Sequence, residues 1–162
     1  MEKFDELREA LKGNEEAYQF VELITEVLHF WDDLIDQDKK LLPEEINSAM
    51  TKALVSLPRN NFYRQNFSEL NPILVNAIIN WHTANEFENS DGNYELSEYE
   101  LSIAFIIRSC YIDLVLHSIT ICGGIDWCRK WAPKARLHWH AEKFDGYKLA
   151  LAKEKEAKNG IM

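Results

Sequence analysis

Residues 97–122 read SEYELSIAFIIRSCYIDLVLHSITIC, and this stretch decides the fold class. At about 100° per residue its apolar side chains fall on nearly every side, which is typical of a helix buried inside a bundle. Gly123 and Gly124 follow directly and predict the end of the helix, because glycine adopts the left-handed conformation that follows many helices. We therefore predict one long, buried central helix.

The same stretch is long enough to cross a bilayer, but ionisable residues interrupt it. Arg108, Asp113 and His117 lie along it, and its longest apolar run covers only residues 103–107. Charged side chains are costly within a membrane, so we expect no membrane span. The first residues, MEKFD, lack the apolar core of a secretory signal, and the cysteines lack Cys-x-x-Cys spacing, so we expect a cytoplasmic setting.

The flanking sequence contains further helix signals. Asn14 suits an N-cap, and Pro43 and Pro72 suit the first turn of a helix. No segment alternates with a period of two for long, so strands are not predicted. The predicted helices cover about residues 4–11, 15–36, 43–57, 72–88, 97–122 and 125–162, with a break at Pro133, a loop over 59–70 and a turn over 89–93. The prediction is a single all-α domain over residues 1–162, a bundle of about five to seven helices whose residues 145–162 form a fraying charged tail.

The composition excludes several classes of protein. Of the 162 residues, 46% are hydrophobic and 28% are charged, so the chain can bury a core and is not disordered. Only 6 Gly and 4 Pro are present, too few for the many turns of a β protein. The net charge of −9 argues against nucleic acid as a partner.

Three predicted helices each carry a histidine four residues from a carboxylate, a spacing that makes the two side chains neighbours. Ferritin-like di-metal proteins build their sites from such residues on facing helices, although their Glu-x-x-His signature occurs here only once, at Glu26 and His29. We predict a site for Mg, Mn, Fe or Zn and no organic cofactor. The predicted ligands are Glu26, His29, Asp33, Asp36, His82, Glu86, Asp113 and His117.

Two other interpretations of these residues stay open. The stripe from Glu22 to Asp36 lies opposite apolar residues of the same helix and is also typical of a solvated face. The pairs His82–Glu86 and Asp113–His117 continue faces predicted to be buried, the first of them behind an apolar line at 75, 78 and 79. They would equally suit a buried polar network that fixes the register of the helices.

Short segments carry resemblances to known families. Residues 32–36, DDLID, resemble the magnesium–diphosphate motif of isoprenoid synthases, and the chain is loosely similar to all-α nucleotide pyrophosphohydrolases; both resemblances imply magnesium and a phosphorylated substrate. Residues 29–38, 60–64 and 80–86, HFWDDLIDQD, NNFYR and NWHTANE, are similar to small helical proteins of tailed bacteriophages. That similarity implies no activity and a setting in the bacterial host cytoplasm or the virus particle.

Two functional hypotheses follow. In the first, a helix-borne metal activates water against a phosphate ester or nucleotide, and Arg64 or Arg108 balances the phosphate charge. In the second, the protein is a non-catalytic interaction or assembly protein whose His–carboxylate pairs are structural. Its contact, with a protein partner or a second copy, would use the basic segment from Trp127 to His140, which is rich in tryptophan.

Overall fold

The computed structural model describes residues 6–36, 40–88 and 97–159, except for the side chains of Asp36 and residues 157–159. All regular elements in these ranges are helices, so the all-α prediction is confirmed. The predicted turn over 89–93 lies outside the described residues. The helices are α1 (Leu7–Ala10), α2 (Glu15–Asp36), α3 (Pro43–Thr51), α4 (Leu57–Arg59), α5 (Asn61–Gln65), α6 (Phe67–Glu88), α7 (Glu98–Ile107), α8 (Ile112–Gly123), α9 (Ile125–Trp139) and α10 (Phe144–Asn159), with a π-helical segment Lys52–Ser56 between α3 and α4.

The core lies where α2, α8 and α9 pack together, and α1, α5 and α6 complete it. Each fully buried large apolar side chain contributes about 1.5–3 kcal/mol, so the helices are held chiefly by this contact rather than by their own propensity. Its main buried side chains are Phe20, Val21 and Ile24 from α2, Ile112, Leu114, Val115 and Ile119 from α8, and Trp131 and Ala135 from α9.

Local signals place several helix ends as predicted. The Asn14 side chain accepts a hydrogen bond of 3.0 Å from the Ala17 N–H and caps α2. Gly124 follows α8 with φ of +83°, a conformation that glycine adopts without strain. Ser97 and Glu100 form a reciprocal capping box at the start of α7.

The predicted long central helix is wrong in one respect, because it is divided. Helices α7 and α8 are bent by 43° where residues 108–111 form turns instead of continuous helix. The side chains of Arg108, Ser109 and Tyr111 make polar contacts with other helices across this break. Those contacts explain a break that no glycine or proline marks.

No single helix within the described ranges is long and apolar enough to cross a membrane. The bent pair α7 and α8 reaches that length and apolarity only when the two helices are taken together.

Two other boundaries also differ from the prediction. Residues 59–70 are mostly helical, in α4, α5 and the first turn of α6, so five to seven helices understates the number of short elements. Helix α9 continues through Pro133, which is exposed, while Trp131 and Ala135 are buried on its other side. A proline facing solvent leaves that packing intact, and the helix ends instead at Trp139, with His140 as its C-cap.

Helix α6 buries a different face from the one predicted. Val75 and Ile79 are 46% and 55% exposed, whereas Leu70, Ala77 and Ala84 are buried. These three positions recur every seven residues, and the two alanines leave room for α7 to pack closely against α6. Val75 and Ile79 of the predicted apolar line therefore face outward, and His82 is exposed with them, whereas Ile78 is half-buried.

Candidate functional site: an aromatic cavity at the junction of α7 and α8

The break between α7 and α8 opens into a cavity of about 190 Å³. Helices α2 and α6 form two walls, the turn at 108–111 forms a third, and the end of α9 with the segment after it closes the fourth. Most of the lining is aromatic or aliphatic, with a small number of polar groups. The lining residues are Leu28, His29, Trp31, Asp32, Ala77, Ile78, Trp81, Phe105, Arg108, Ser109, Tyr111, Trp139, His140 and Glu142.

Asp32 and Trp81 form the central polar contact of this cavity. The Trp81 Nε1–H donates a hydrogen bond of 2.7 Å to Asp32 Oδ1, and the Arg108 guanidinium lies 3.8 Å from Asp32 Oδ2. The Trp31 ring packs against Trp81 with their centroids 5.4 Å apart. Asp32 is therefore fixed from two sides, and the indole ring of Trp81 is fixed by its own polar atom.

Behind Arg108 a second carboxylate is buried. Glu88 Oε1 lies 3.8 Å from the Arg108 guanidinium and accepts a hydrogen bond of 2.6 Å from the Tyr147 hydroxyl on α10. Burial raises the pKa of Glu88 above its usual value, although Tyr147 and Arg108 oppose this. Burial lowers the pKa of Arg108, but Glu88 and Asp32 more than offset that effect and leave it raised. Arg108 is thus a fixed cation between two carboxylates.

His29 and Tyr111 form the second polar pair in the cavity. His29 Nε2 lies 3.0 Å from the Tyr111 hydroxyl, and the two rings meet edge to face with centroids 5.6 Å apart. Burial lowers the pKa of His29 although Asp32 and Asp33 oppose this, and burial raises the pKa of Tyr111. Both side chains are therefore neutral near pH 7 and can hydrogen-bond to a ligand without bringing a charge.

Ser109 and His140 form the third pair. The Ser109 hydroxyl lies 2.7 Å from His140 Nδ1, which joins the turn after α7 to the residue that follows α9. Burial lowers the pKa of His140, and the nearby Arg136 guanidinium lowers it further, although Asp113 opposes this. A neutral imidazole with its proton on Nε2 accepts the serine proton at Nδ1.

The predicted metal ligands of α2 whose side chains the structure describes differ in burial and in their contacts. Glu26 is exposed and pairs with Lys52 at 2.8 Å, while His29 contacts Tyr111 inside the cavity. Asp33 is half-buried, and the side chain of Asp36 lies outside the described residues. His29 therefore contacts the turn between α7 and α8, and it also interacts electrostatically with Asp33.

The predicted pairs on α6 and α8 are also separated. His82 and Glu86 are exposed, and His82 lies edge-on to the Trp31 ring with centroids 6.0 Å apart. Asp113 pairs with Arg136 at 2.5 Å, and His117 Nε2 lies 3.1 Å from Glu69 Oε2. On α8 the two predicted neighbours therefore have separate partners.

Among residues 6–36, 40–88 and 97–159, no group of three or more His, Cys, Asp or Glu side chains is positioned to hold a metal ion. The metal site stays a prediction. Of the two arginines proposed to balance phosphate charge, Arg108 lines the cavity, whereas Arg64 is exposed on α5 and is not part of its lining.

The basic C-terminal segment packs largely against the chain itself. The Trp127 Nε1–H donates a hydrogen bond of 2.7 Å to the Ala10 carbonyl, and Trp131 is 5% exposed. Lys134 pairs with Glu6 at 2.8 Å, and Arg136 with Asp113. Much of the charge and aromatic surface of this segment is thus used within the protein.

A second cavity of about 310 Å³ lies on the other side of Ala77. Its lining includes Cys110, Asp113 and His117 and carries no aromatic wall. Since Asp113 and His117 already pair with Arg136 and Glu69, the first cavity is the better candidate for holding a ligand.

Several residues of the aromatic cavity were not predicted from the sequence. Their hydrogen-bond partners are distant in the chain, so a search for side chains four positions apart does not identify them. These residues are Trp81, Tyr111, Ser109 and His140. The one usable signal was the placement of polar residues within an otherwise apolar segment, at Arg108 and Ser109.

No protein-family model matches this chain, and no curated protein or solved structure is significantly similar to it.

Proposed function

We propose that the cavity at the junction of α7 and α8 binds a planar aromatic molecule of one or two rings that is neutral or positively charged. The observation that carries this proposal is a cavity walled by Trp31, Trp81, Phe105 and Trp139. Asp32, His29 and Ser109 in its lining each have a hydrogen-bonding partner. Small-molecule sites generally combine a mostly apolar lining with a few fixed polar groups.

The size of the cavity limits the ligand. An empty apolar cavity of about 150 Å³ in another protein accommodates benzene, so 190 Å³ suits one ring with polar substituents or a compact two-ring compound. The flat indole faces of this lining favour stacking on a planar ring, and they also attract cations.

The charges around the cavity select against anions. The carboxylates of Asp32 and Glu142 line the cavity, and that of Glu88 lies behind Arg108. The Arg108 guanidinium is the positive charge in this lining, so it faces more carboxylates than it can neutralise. A phosphate would compete with two carboxylates for Arg108, so this geometry lends no support to the phosphate-ester hypothesis. At about 7 Å and an effective dielectric constant of about 20, one unit charge contributes about 2 kcal/mol before salt screening. Because of this electrostatic contribution, we expect a cation to bind with at least about tenfold higher affinity than an anion of the same shape.

Three compounds that share a phenyl ring test this proposal. Benzamide, benzamidine and benzoate are neutral, cationic and anionic, and their binding is measured by isothermal titration calorimetry. We expect benzamide and benzamidine to bind and benzoate to bind at least about tenfold more weakly. Equal binding of all three, or binding of benzoate alone, would overturn the charge argument.

Adjacent isoleucines on α6 provide a matched control. Ile78 lines the cavity, whereas Ile79 is 55% exposed on the outer face. Ile78→Phe adds a ring inside the cavity and should reduce benzamide affinity at least tenfold, while Ile79→Phe should leave it unchanged. If both variants bind as the wild type does, the ligand does not occupy this cavity.

An assembly role is a second candidate, and one observation favours it. Large apolar side chains on either side of α3 are exposed: Leu42 is 54%, Leu54 is 73% and Val55 is 45% accessible. Sedimentation of the wild type and of Leu54→Lys tests this role, because loss of an oligomer in the variant would support it and an unchanged monomer would not.

A further inference from the structure

We propose that Ser109 and His140 form a nucleophile–base pair that transfers the acyl group of a small aryl ester bound in the aromatic cavity. This inference rests on the proposed function, because the cavity must first hold the aromatic ring. It adds a chemical activity to what is otherwise a binding site.

The geometry of the pair suits nucleophilic catalysis. The Ser109 hydroxyl and His140 Nδ1 are 2.7 Å apart, within the hydrogen-bond reach that proton transfer requires. Both residues line the cavity, so the hydroxyl is next to the space that a ligand would fill. Ser109 lies in the turn at 108–111. Its hydroxyl is also 3.5 Å from the Ile106 carbonyl, a longer contact than the one of 2.7 Å with His140.

The surroundings of the pair support its chemistry. Burial and Arg136 keep His140 neutral, which is the form able to accept a proton. Trp81 and Trp31 offer the ring of an aryl ester a surface on which to stack.

The reaction divides into two balanced steps. In the first, Ser109 Oγ bonds to the carbonyl carbon while its proton passes to His140 Nδ1; the bond to the aryl oxygen then breaks, and the phenol leaves with that proton. In the second, water adds to the acyl carbon and gives a proton to His140, after which Ser109 Oγ leaves and recovers this proton. The products are a phenol and a carboxylic acid, and no oxidant or further reactant is needed.

p-Nitrophenyl acetate, a neutral single-ring ester, is the probe. Intact-protein mass spectrometry with peptide mapping should find an acetyl group on Ser109, and release of p-nitrophenol should fall on the order of 100-fold in Ser109→Ala and His140→Gln. Ser102→Ala is the matched control, since Ser102 lies in α7 outside the cavity lining and its hydroxyl donates to the Tyr99 carbonyl rather than to a histidine. This variant should keep the wild-type rate of p-nitrophenol release.

The outcomes separate this inference from the proposed function. If benzamide binds to the wild type and to Ser109→Ala with equal affinity but no acetyl group is found on Ser109, the dyad has no acyl-transfer role and the binding site stands. If acetylation maps only to lysines and is unchanged in Ser109→Ala, the inference is likewise overturned. If benzamide does not bind at all, the proposed function itself fails.

Discussion

The hydrogen bond between Trp81 and Asp32 offers a quantitative test of how the cavity is built. Trp81→Phe removes the Nε1–H that donates to Asp32 Oδ1 at 2.7 Å and leaves most of the aromatic ring in place. Hydrogen bonds to charged groups contribute about 1.5–3 kcal/mol. The Asp32 side chain is 32% exposed, so we take the lower end, about 1.5 kcal/mol, and expect a similar loss in the free energy of unfolding.

A double-mutant cycle isolates this interaction from other effects of the ring change. Urea unfolding of Trp81→Phe, Asp32→Asn and the double variant should give a coupling energy of about 1 kcal/mol or more. Trp127→Phe is the matched control, because its indole donates at the same distance of 2.7 Å to the Ala10 carbonyl and should not couple with Asp32→Asn. A Trp81–Asp32 coupling below about 0.3 kcal/mol, the usual error of additivity, would refute the reasoning.

Four further predictions concern the charges around and away from the cavity. Arg108→Met leaves Asp32 and Glu88 without their shared cation and should lower the free energy of unfolding by about 2–3 kcal/mol. This is somewhat less than the loss for a fully buried pair, because the arginine is 28% exposed. A change below about 0.5 kcal/mol in urea unfolding would contradict this prediction. His29 has a lowered pKa in the folded state, so its contribution to stability is complete above the unfolded pKa of about 6.5 and is lost as the pH falls below that value. Between about pH 7.5 and 5 the melting temperature should therefore fall less for His29→Gln than for the wild type. Equal falls in the two proteins would contradict this prediction. Glu88 has a raised pKa, so it binds more protons in the folded state than in the unfolded state, and stability decreases as the pH rises from about 4.5 through the folded pKa. Glu88→Gln should remove this decrease in melting temperature. If the variant keeps the decrease, a group other than Glu88 causes it. Lys52→Ala breaks only an exposed ion pair with Glu26 and should change stability by less than about 1 kcal/mol, so a larger loss would show that this pair is not merely a surface contact.

The sequence predicts those parts of the fold that depend on neighbouring residues. Asn14 and the Ser97–Glu100 capping box act on N–H groups three positions away, and Gly124 ends a helix through its own backbone conformation. Each signal is complete within a few residues, so the sequence alone indicated where α2 and α7 begin and where α8 ends.

The division of the central helix could not be predicted in this way. The partners of Tyr111 and Ser109 lie 82 and 31 residues away in the chain, so nothing near residues 108–111 indicates a turn. The cavity opens at that turn, which explains why Ser109, Tyr111 and His140 were missed together.

The face buried by α6 shows a second limit of sequence patterns. Val75 and Ile79 are more hydrophobic than Ala77 and Ala84, so a hydrophobic pattern favours the wrong side. Close packing against α7 selects the small residues instead. His82 lies on the exposed face of α6, so the His–carboxylate pair predicted to be buried there is exposed.

Fluorine NMR of protein labelled with 5-fluorotryptophan tests most directly whether the cavity binds an aromatic ligand. Trp31, Trp81 and Trp139 line the cavity, whereas Trp127 and Trp131 are absent from its lining. Saturable shifts of the first three signals on titration with benzamide, with the other two unchanged, are the predicted result. Shifts confined to Trp127 and Trp131, or no shift in any of the five signals, would contradict a ligand site at the junction of α7 and α8.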